Sequence, residues 1–491
     1  MSDMSVYGGS IYAAQTDVPA RPPLTVEADV DVCVIGGGLA GLTTARELAR
    51  RGWSVAVLEA RRIAWNASGR NTGFVLPGFA AEEETIIERV GSDHAKALWA
   101  LSEQGAEYVR ATIRELDMPG VNLVEGGWLN VWKSDDDARV ARLAEFYGRQ
   151  FGAEVEHWPK ERVRETLRSN RYFSALNFPR GFSINPLAYA QGLAAAAEAA
   201  GVRIFENTPA LDIDPAGVRK RINTPQARVR AGQVVFAGNV HVGALMPKLA
   251  ATLVPCSTYV IATEPLGPQL RDAIRTDATV SDTEFVDSHY RIVDGDRLLW
   301  CGRCTTWEGD PAGFTRTLLR DIRRTYPQLR DVKAAYAWTG TLGNTVHLMP
   351  QIGEYAPGVW LLSGFSGHGL NTTAMAGEII ARAITDDDPR WRLFSPFELV
   401  WAGGALGKAA VQGYYYAYRA REKIDGALSR RREAEKRKRD GLPPLEVPAP
   451  SVVPGDAASS EPEVQSKKKK PRKKKAEVVA EAALAEKLPE T

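Results

Sequence analysis

Apolar positions in this chain come in short runs, set apart by glycine-rich turns and by amphipathic stretches. Asp29–Ile35 is one such run, mostly apolar and β-branched, as a strand buried on both faces should be. Gly36, Gly38 and Gly41 follow it as G-x-G-x-x-G. Leu42, Ala45, Leu48 and Ala49 then recur at helical spacing, and Gly52 ends the helix. Val55–Leu58 reads as a second buried strand, closed by Glu59. Strand, glycine turn, helix, strand and acid in this order predict a βαβ unit that binds a dinucleotide. Gly36 permits the tight turn, Gly38 lets the backbone approach a pyrophosphate, and Gly41 lets helix pack on strand. The phosphates would sit at the positive end of the helix dipole. Glu59 is placed to accept the ribose hydroxyls, which argues against NADP and leaves NAD and FAD open.

The same alternation continues downstream. Ala67-Ser68-Gly69-Arg70-Asn71 forms a small, polar turn that can press against a flat ligand. Residues 81–118 read as two helices, Gly126–Trp132 as a strand and Asp135–Phe151 as a helix. Asn185 and Pro186 cap a helix that runs to Gly201. Val202–Phe205 is a strand, Ala227–Arg230 pairs locally, and Val234–Asn239 returns to the nucleotide-binding sheet. Thr258–Thr263 is rich in strand formers, and Tyr290–Val293 with Arg297–Cys301 reads as a hairpin. A helix from Pro311 or Gly313 to Tyr326 and a strand at Val359–Ser363 follow. Gly364-Phe365-Ser366-Gly367-His368-Gly369 is then a second glycine-rich turn, opening a helix from Leu370 to Ile384. One ligand with two ends explains both turns.

Composition narrows the class. At 491 residues and 44% hydrophobic, the chain exceeds one ordinary domain and can bury large cores. No apolar run reaches the roughly 18 residues of a membrane span. No basic-then-apolar leader pattern is seen near Asp3, and four cysteines do not make a disulfide framework, so a cytoplasmic enzyme is expected. The net charge of +2 conceals an asymmetry. From Arg430 onward there are 16 Lys+Arg against 11 Asp+Glu, leaving the body mildly acidic. The clusters Lys436–Arg439 and Lys467–Lys475 lie in a stretch whose composition predicts disorder, with weak, salt-dependent contact to polyanions.

The first motif, the Ala67–Gly73 turn, Trp338-x-Gly340, Pro350-x-Ile352-Gly353 and Gly364–Gly369 together resemble the D-amino-acid oxidase family of FAD-dependent amine oxidoreductases. Their order and spacing are most similar to its gamma-glutamylputrescine oxidase branch. The resemblance covers about residues 5–425 and implies an α/β (α+β) fold: a Rossmann-like FAD-binding domain with an interleaved antiparallel-sheet substrate domain. The boundaries expected are an N-terminal arm to 28, an FAD-binding domain of 29–80, 181–244 and 339–385, and a substrate domain of 81–180 and 245–338. A covering segment, 386–429, and the basic tail, 430–491, complete the chain.

The resemblance also implies FAD, held by Gly36, Gly38, Gly41, Glu59, Ala60 and Arg61 at its adenosine end. Ala67, Ser68, Gly69 and Asn71 would lie along the flavin, and Ala237 and Gly238 would close over the nucleotide. Gly364, Phe365, Ser366, Gly367, His368 and Gly369 would reach the ring's pyrimidine edge, where a helix N-terminus stabilises developing negative charge. His368 is either a flavin-side group or a turn histidine. Tyr290 and Trp338 are either substrate-side walls or core aromatics. The activity implied is oxidation of a primary or secondary amine, an amino-acid or polyamine derivative, to an imine by hydride transfer to flavin N5. Dioxygen, a quinone or another carrier would accept the electrons.

Two departures from the family pattern matter. Leu342 stands where glycine oxidase and its close relatives place a carboxylate-binding Arg, which disfavours simple α-amino acids. Tyr336 and Ala337 stand where sarcosine oxidase attaches its flavin through Cys, so non-covalent FAD is expected. Cys301-x-x-Cys304 is one pair, too few for a metal site, and none is expected. His157 and His347 receive no role. Rival readings are an FAD-dependent RNA-modifying enzyme, favoured by the basic tail and opposed by the acidic body, and a flavin-binding interaction protein tethered by that tail.

Overall fold

The computed structural model describes residues 7–118, 120–282 and 288–445. Strand Ala28–Ile35, helix Leu39–Arg50 and strand Val55–Leu58 form the expected opening unit, its two strands parallel. Val32 and Val34 face one apolar core while Cys33 and Ile35 face another, which is why the run is apolar at every position there. Arg228–Phe236 is one continuous parallel strand beside Ala28–Ile35, where two separate segments were expected. Its polar middle, Gly232 and Gln233, breaks the apolar pattern without breaking the pairing. Val359–Ser363 and Arg203–Phe205 extend this first sheet on either side, in parallel, and the antiparallel Gln351–Ala356 closes one edge.

The second sheet is almost wholly antiparallel. Ala334–Asn344, Val254–Thr263, Arg297–Thr305 and Ser288–Val293 lie side by side, followed by Thr279–Ser281, Trp128–Trp132 and Ser174–Phe178. The hairpin Ser288–Val293 and Arg297–Thr305 is present as expected. Helix Pro311–Thr325 covers one face, burying Leu318 and Ile322 against Tyr259, Tyr290 and Trp300.

Three boundaries differ from those expected. Strand Ala334–Asn344 stays in the second sheet past residue 339, because each residue from Trp338 to Asn344 pairs with Val254–Val260. Helix Ser92–Glu115 meets the second sheet through Trp99, which packs with Trp132, Leu176 and Phe178, but packs along helix Gly369–Asp386 of the first layer. Gly105 makes that approach possible: a Cβ there would lie 2.2 Å from the Asn371 carbonyl oxygen. The tail does not begin at 430. Helix Gly404–Arg439 carries the first basic cluster at its end and is fastened to the body through Glu433, which pairs with Arg164 at 2.8 Å and Lys160 at 3.2 Å. Lys467–Lys475 lies outside the described residues. The arm lies along the body, with Tyr7, Ile11 and Tyr12 buried. No described helix is long and apolar enough to cross a membrane.

Candidate flavin and amine site

Each glycine of the first turn has its own steric reason. Gly36 has φ +114°, and a Cβ there would meet the Ala237 carbonyl at 2.8 Å. At Gly41 a Cβ would lie 2.0 Å from the Gly36 carbonyl oxygen, so helix and strand touch through backbone. At Gly38 it would approach Ser68 Oγ at 2.9 Å. That hydroxyl accepts a hydrogen bond from the Leu39 amide at 3.1 Å, which locks the Ala67–Arg70 turn to the helix N-terminus. The Ala67–Arg70 segment is one helical turn, closed by Asn71, whose side-chain amide donates to the Ala67 and Ser68 carbonyls. Glu59 is buried and accepts from the Gly37 amide and the Arg61 amide, both at 2.8 Å. Burial raises its pKa against those bonds.

Between the two sheets lies a cavity of about 590 Å³. Gly38, Ala67, Ser68, Asn71 and Ala237 line it from the first layer, and Phe365–Gly369 line it from the second glycine turn. Of the other expected cofactor residues, Gly36, Gly41, Gly69, Gly238 and Gly364 lie behind this wall and set its backbone course. Gly364, at φ +70°, is held by a bond from its amide to Asn239 Oδ1. Ala60 and Arg61 follow Glu59 outside the cavity, the Arg61 guanidinium 4.1 Å from the Trp65 ring centroid.

His368 is the N-cap of helix Gly369–Asp386 and lines the cavity. Its Nδ1 is buried with no protein partner. Burial, and then the nearby His289, push its pKa down to about 4, against a hydrogen bond with the Pro77 backbone. The imidazole is therefore neutral near pH 7.

Tyr290 and Trp338 are not cavity walls. Tyr290 is fully buried on the opposite face of its strand, stacked on Trp300 at 4.4 Å and hydrogen-bonded to Tyr172 and Tyr326. Its neighbour His289 faces the cavity instead, because successive strand residues point to opposite faces. Trp338 is fully buried behind the Ala67–Arg70 turn, its indole donating to the Arg70 carbonyl at 2.8 Å. It positions that turn. Four residues along the strand, Leu342 does reach the cavity, beside Asn344, Cys256 and Thr258.

The cysteine pair is also split. A bulge at Arg303, φ +68°, lies between Cys301 and Cys304. Cys304 lines the cavity and interacts with Cys256 of the neighbouring strand, while Cys301 is packed in the core. The sequence reading missed the remaining wall: Trp99, Trp128, Trp132, Tyr147 and Phe178, with Glu83 among them. Its only trace in sequence is the aromatic run Trp128–Trp132, which by itself reads as an ordinary strand.

Comparison with known proteins agrees with this architecture. The profile of the family described as FAD dependent oxidoreductase (DAO) matches residues 31–383. Gamma-glutamylputrescine oxidoreductase of Escherichia coli (strain K12) is 33% identical over 398 residues, spanning 80% of this chain and 92% of its own. Glycine oxidase from Geobacillus kaustophilus shares the fold with a TM-score of 0.62 at 22% identity, covering 72% of this chain and 94% of its own. L-Proline dehydrogenase from P.horikoshii does so with a TM-score of 0.63 at 20% identity, covering 75% and 96%. The chain belongs to the DAO family of FAD-dependent oxidoreductases, enzymes that act on amines or amino acids.

Proposed function

We propose that the chain oxidises the C–N bond of an extended primary or secondary amine lacking a carboxylate on the reacting carbon, and that its FAD is bound non-covalently. The residues fit that cofactor: Gly38 opens backbone to the cavity where a Cβ would strike Ser68, and His368 offers a buried nitrogen with no protein partner. Gly38, Ser68 and Ala67 would hold it on one side, Ala237 and Phe365–Gly369 on the other. Tyr336 and Ala337, beside Trp338, offer no thiol for attachment. When bound, FAD accepts at N5 the hydride leaving the amine's α-carbon.

The protein's own part is orientation and electrostatics. The free amides at the start of helix Gly369–Asp386 sit at its positive end, beside the cavity, and favour negative charge there. A neutral His368 can share a hydrogen bond without adding charge. The Leu342 wall lowers local polarity and favours the neutral amine, the form that gives up hydride.

The observation that carries the reading is Leu342, an uncharged side chain on the cavity wall. An α-amino acid would bury its carboxylate there against leucine, a costly arrangement. The gamma-glutamylputrescine named for the 33% relative is an amine of the favoured kind. Anaerobic mixing of the yellow protein with a panel of amines and amino acids tests it. Amines without the carboxylate should bleach the flavin with kcat/KM at least about tenfold above glycine or D-alanine, the worth of one charge-assisted bond. A D-amino acid that outruns every such amine would refute it. Admitting air then shows whether dioxygen reoxidises the flavin. Acid precipitation should release FAD into the supernatant.

A further inference from the structure

One stretch of the cavity's wall, the aromatic arm, is built from ring side chains, among them Trp99, Trp128, Tyr147 and Phe178. Trp128 and Phe178 stack at 4.6 Å, and Tyr147 meets Phe178 edge-on at 5.3 Å and Trp99 at 5.5 Å. Trp128 is fixed by a bond from its indole to Ser281 Oγ at 2.9 Å, and Ser281 is held in turn by His289. Among these rings stands one carboxyl group, that of Glu83 in the first turn of helix Glu83–Val90. Tyr147 donates to its Oε2 at 2.8 Å. Its flanking carboxylates, Glu82 and Glu84, and Arg139 are exposed at the rim.

A cavity arm of π faces around a single carboxyl suits an organic cation. The ring quadrupoles attract positive charge, and the carboxylate supplies the counter-charge. An anion would meet the negative faces of the rings and Glu83 together.

We propose that this arm is a specificity subsite for an ammonium group at the far end of the substrate, held by Glu83 and the faces of Trp128, Phe178 and Tyr147. This inference rests on the amine-oxidation reading and sharpens it. The substrate class becomes a chain with a reacting amine at one end, an apolar spacer over Leu342, and a cationic amino group at the other. Burial raises the Glu83 carboxyl to about 7, so a bound ammonium is what would draw it into its charged form.

The test compares matched pairs on the holoenzyme: butylamine with putrescine, pentylamine with cadaverine, hexylamine with hexamethylenediamine. Anaerobic flavin reduction is followed for wild type and Glu83→Gln. At one spacer length the diamine should exceed its monoamine in kcat/KM by at least about tenfold, mainly through KM, as a cation–π contact plus a charge pair allows. Glu83→Gln should bring that ratio below about threefold, the remainder a ring face alone supplies. Trp128→Leu, which keeps the carboxyl, should lower the ratio less far, and flavin content and Tm report whether each variant is folded. A wild-type ratio near one at every length, or a ratio that survives Glu83→Gln, overturns the subsite. If no amine reduces the flavin, the oxidation reading fails by itself. The subsite is then read by titrating tryptophan fluorescence with hexamethylenediamine against hexylamine: selective quenching lost in Glu83→Gln supports it, and equal response overturns it.

Discussion

The two sheets bound one cavity by opposite means. On the first sheet the wall is backbone: glycines whose missing side chains let the chain touch itself, as Gly41 touches Gly36 and Gly36 touches Ala237. On the second sheet the wall is side chains: Leu342, His289, Trp128 and Phe178 on alternate positions of strands whose other faces fill a core. A backbone wall suits a cofactor that stays the same across a family. A side-chain wall can be recut for each substrate without moving the strands. The first wall should therefore be brittle to substitution and the second tunable.

The largest expected effect lies on the backbone wall. Gly38→Val places a branched side chain where a Cβ alone would already crowd Ser68 Oγ at 2.9 Å and enter the cavity. The protein should purify without flavin, measured as the ratio of flavin to protein absorbance after gel filtration. Normal flavin content would show that Gly38 does not face the cofactor. Ser68→Ala removes only the bond to the Leu39 amide and should weaken FAD retention without abolishing it.

On the side-chain wall the same size of change should redirect, not destroy. Leu342→Arg should keep its flavin and shift kcat/KM toward glycine or D-alanine, relative to an unsubstituted amine, by about tenfold. Loss of flavin in Leu342→Arg would erase the contrast between the walls.

The same division explains what the chain revealed before its structure. Glycine spacing is a local signal, because the contacts it serves span a strand, a turn and a helix that adjoin in sequence. The βαβ unit, the Gly364–Gly369 turn and the Asn185 cap were legible for that reason. The amine side is assembled from Trp99, Trp128, Phe178, His289 and Leu342, far apart in the chain, and no local pattern marks their convergence. Strand phase was the specific failure. Tyr290 looked like a wall because it is aromatic, yet a one-residue step sends His289 to the cavity and Tyr290 to the core. The helix ending at Arg439 was hidden by its own charge, since its anchor, Glu433, finds Arg164 and Lys160 only in the folded chain.

A smaller effect separates the walls by pH. Burial holds His368 and Glu83 toward their neutral forms, from opposite directions: His368 down from 6.5 to about 4, Glu83 up from 4.5 to about 7. For His368 the folded value lies below the unfolded one, so its contribution to stability is present above 6.5 and is lost as pH falls through 4. For Glu83 the folded value lies above the unfolded one, so its contribution is present below 4.5 and is lost as pH rises through 7. Both groups act between about pH 4 and 7 with opposite slopes, so across that window His368→Gln should make Tm rise less with pH and Glu83→Gln should make it fall less, each by a few degrees (~1 kcal/mol). Both variants changing the slope in the same direction would show that one of the two groups is solvated like a surface residue.

The smallest effect on turnover belongs to Tyr290, and it is the sharpest check on which face of the strand belongs to the site. Its hydroxyl lies 2.7 Å from that of Tyr326 and 3.1 Å from that of Tyr172, all three side chains fully buried. Tyr290→Phe leaves the ring stacked on Trp300 but strips a partner from two buried hydroxyls, a loss of about 1–3 kcal/mol. That loss should appear as a lower Tm, while amine kcat/KM stays within about twofold of wild type, because no atom of the cavity wall has moved. His289→Ala, one residue earlier, should do the reverse: it frees Ser281 and the Trp128 indole bonded to it, and so alters turnover more than stability. If Tyr290→Phe instead slows flavin reduction while its Tm holds, the strand presents the other face to the substrate, and the aromatic arm is walled by residues one step out of phase with those assigned.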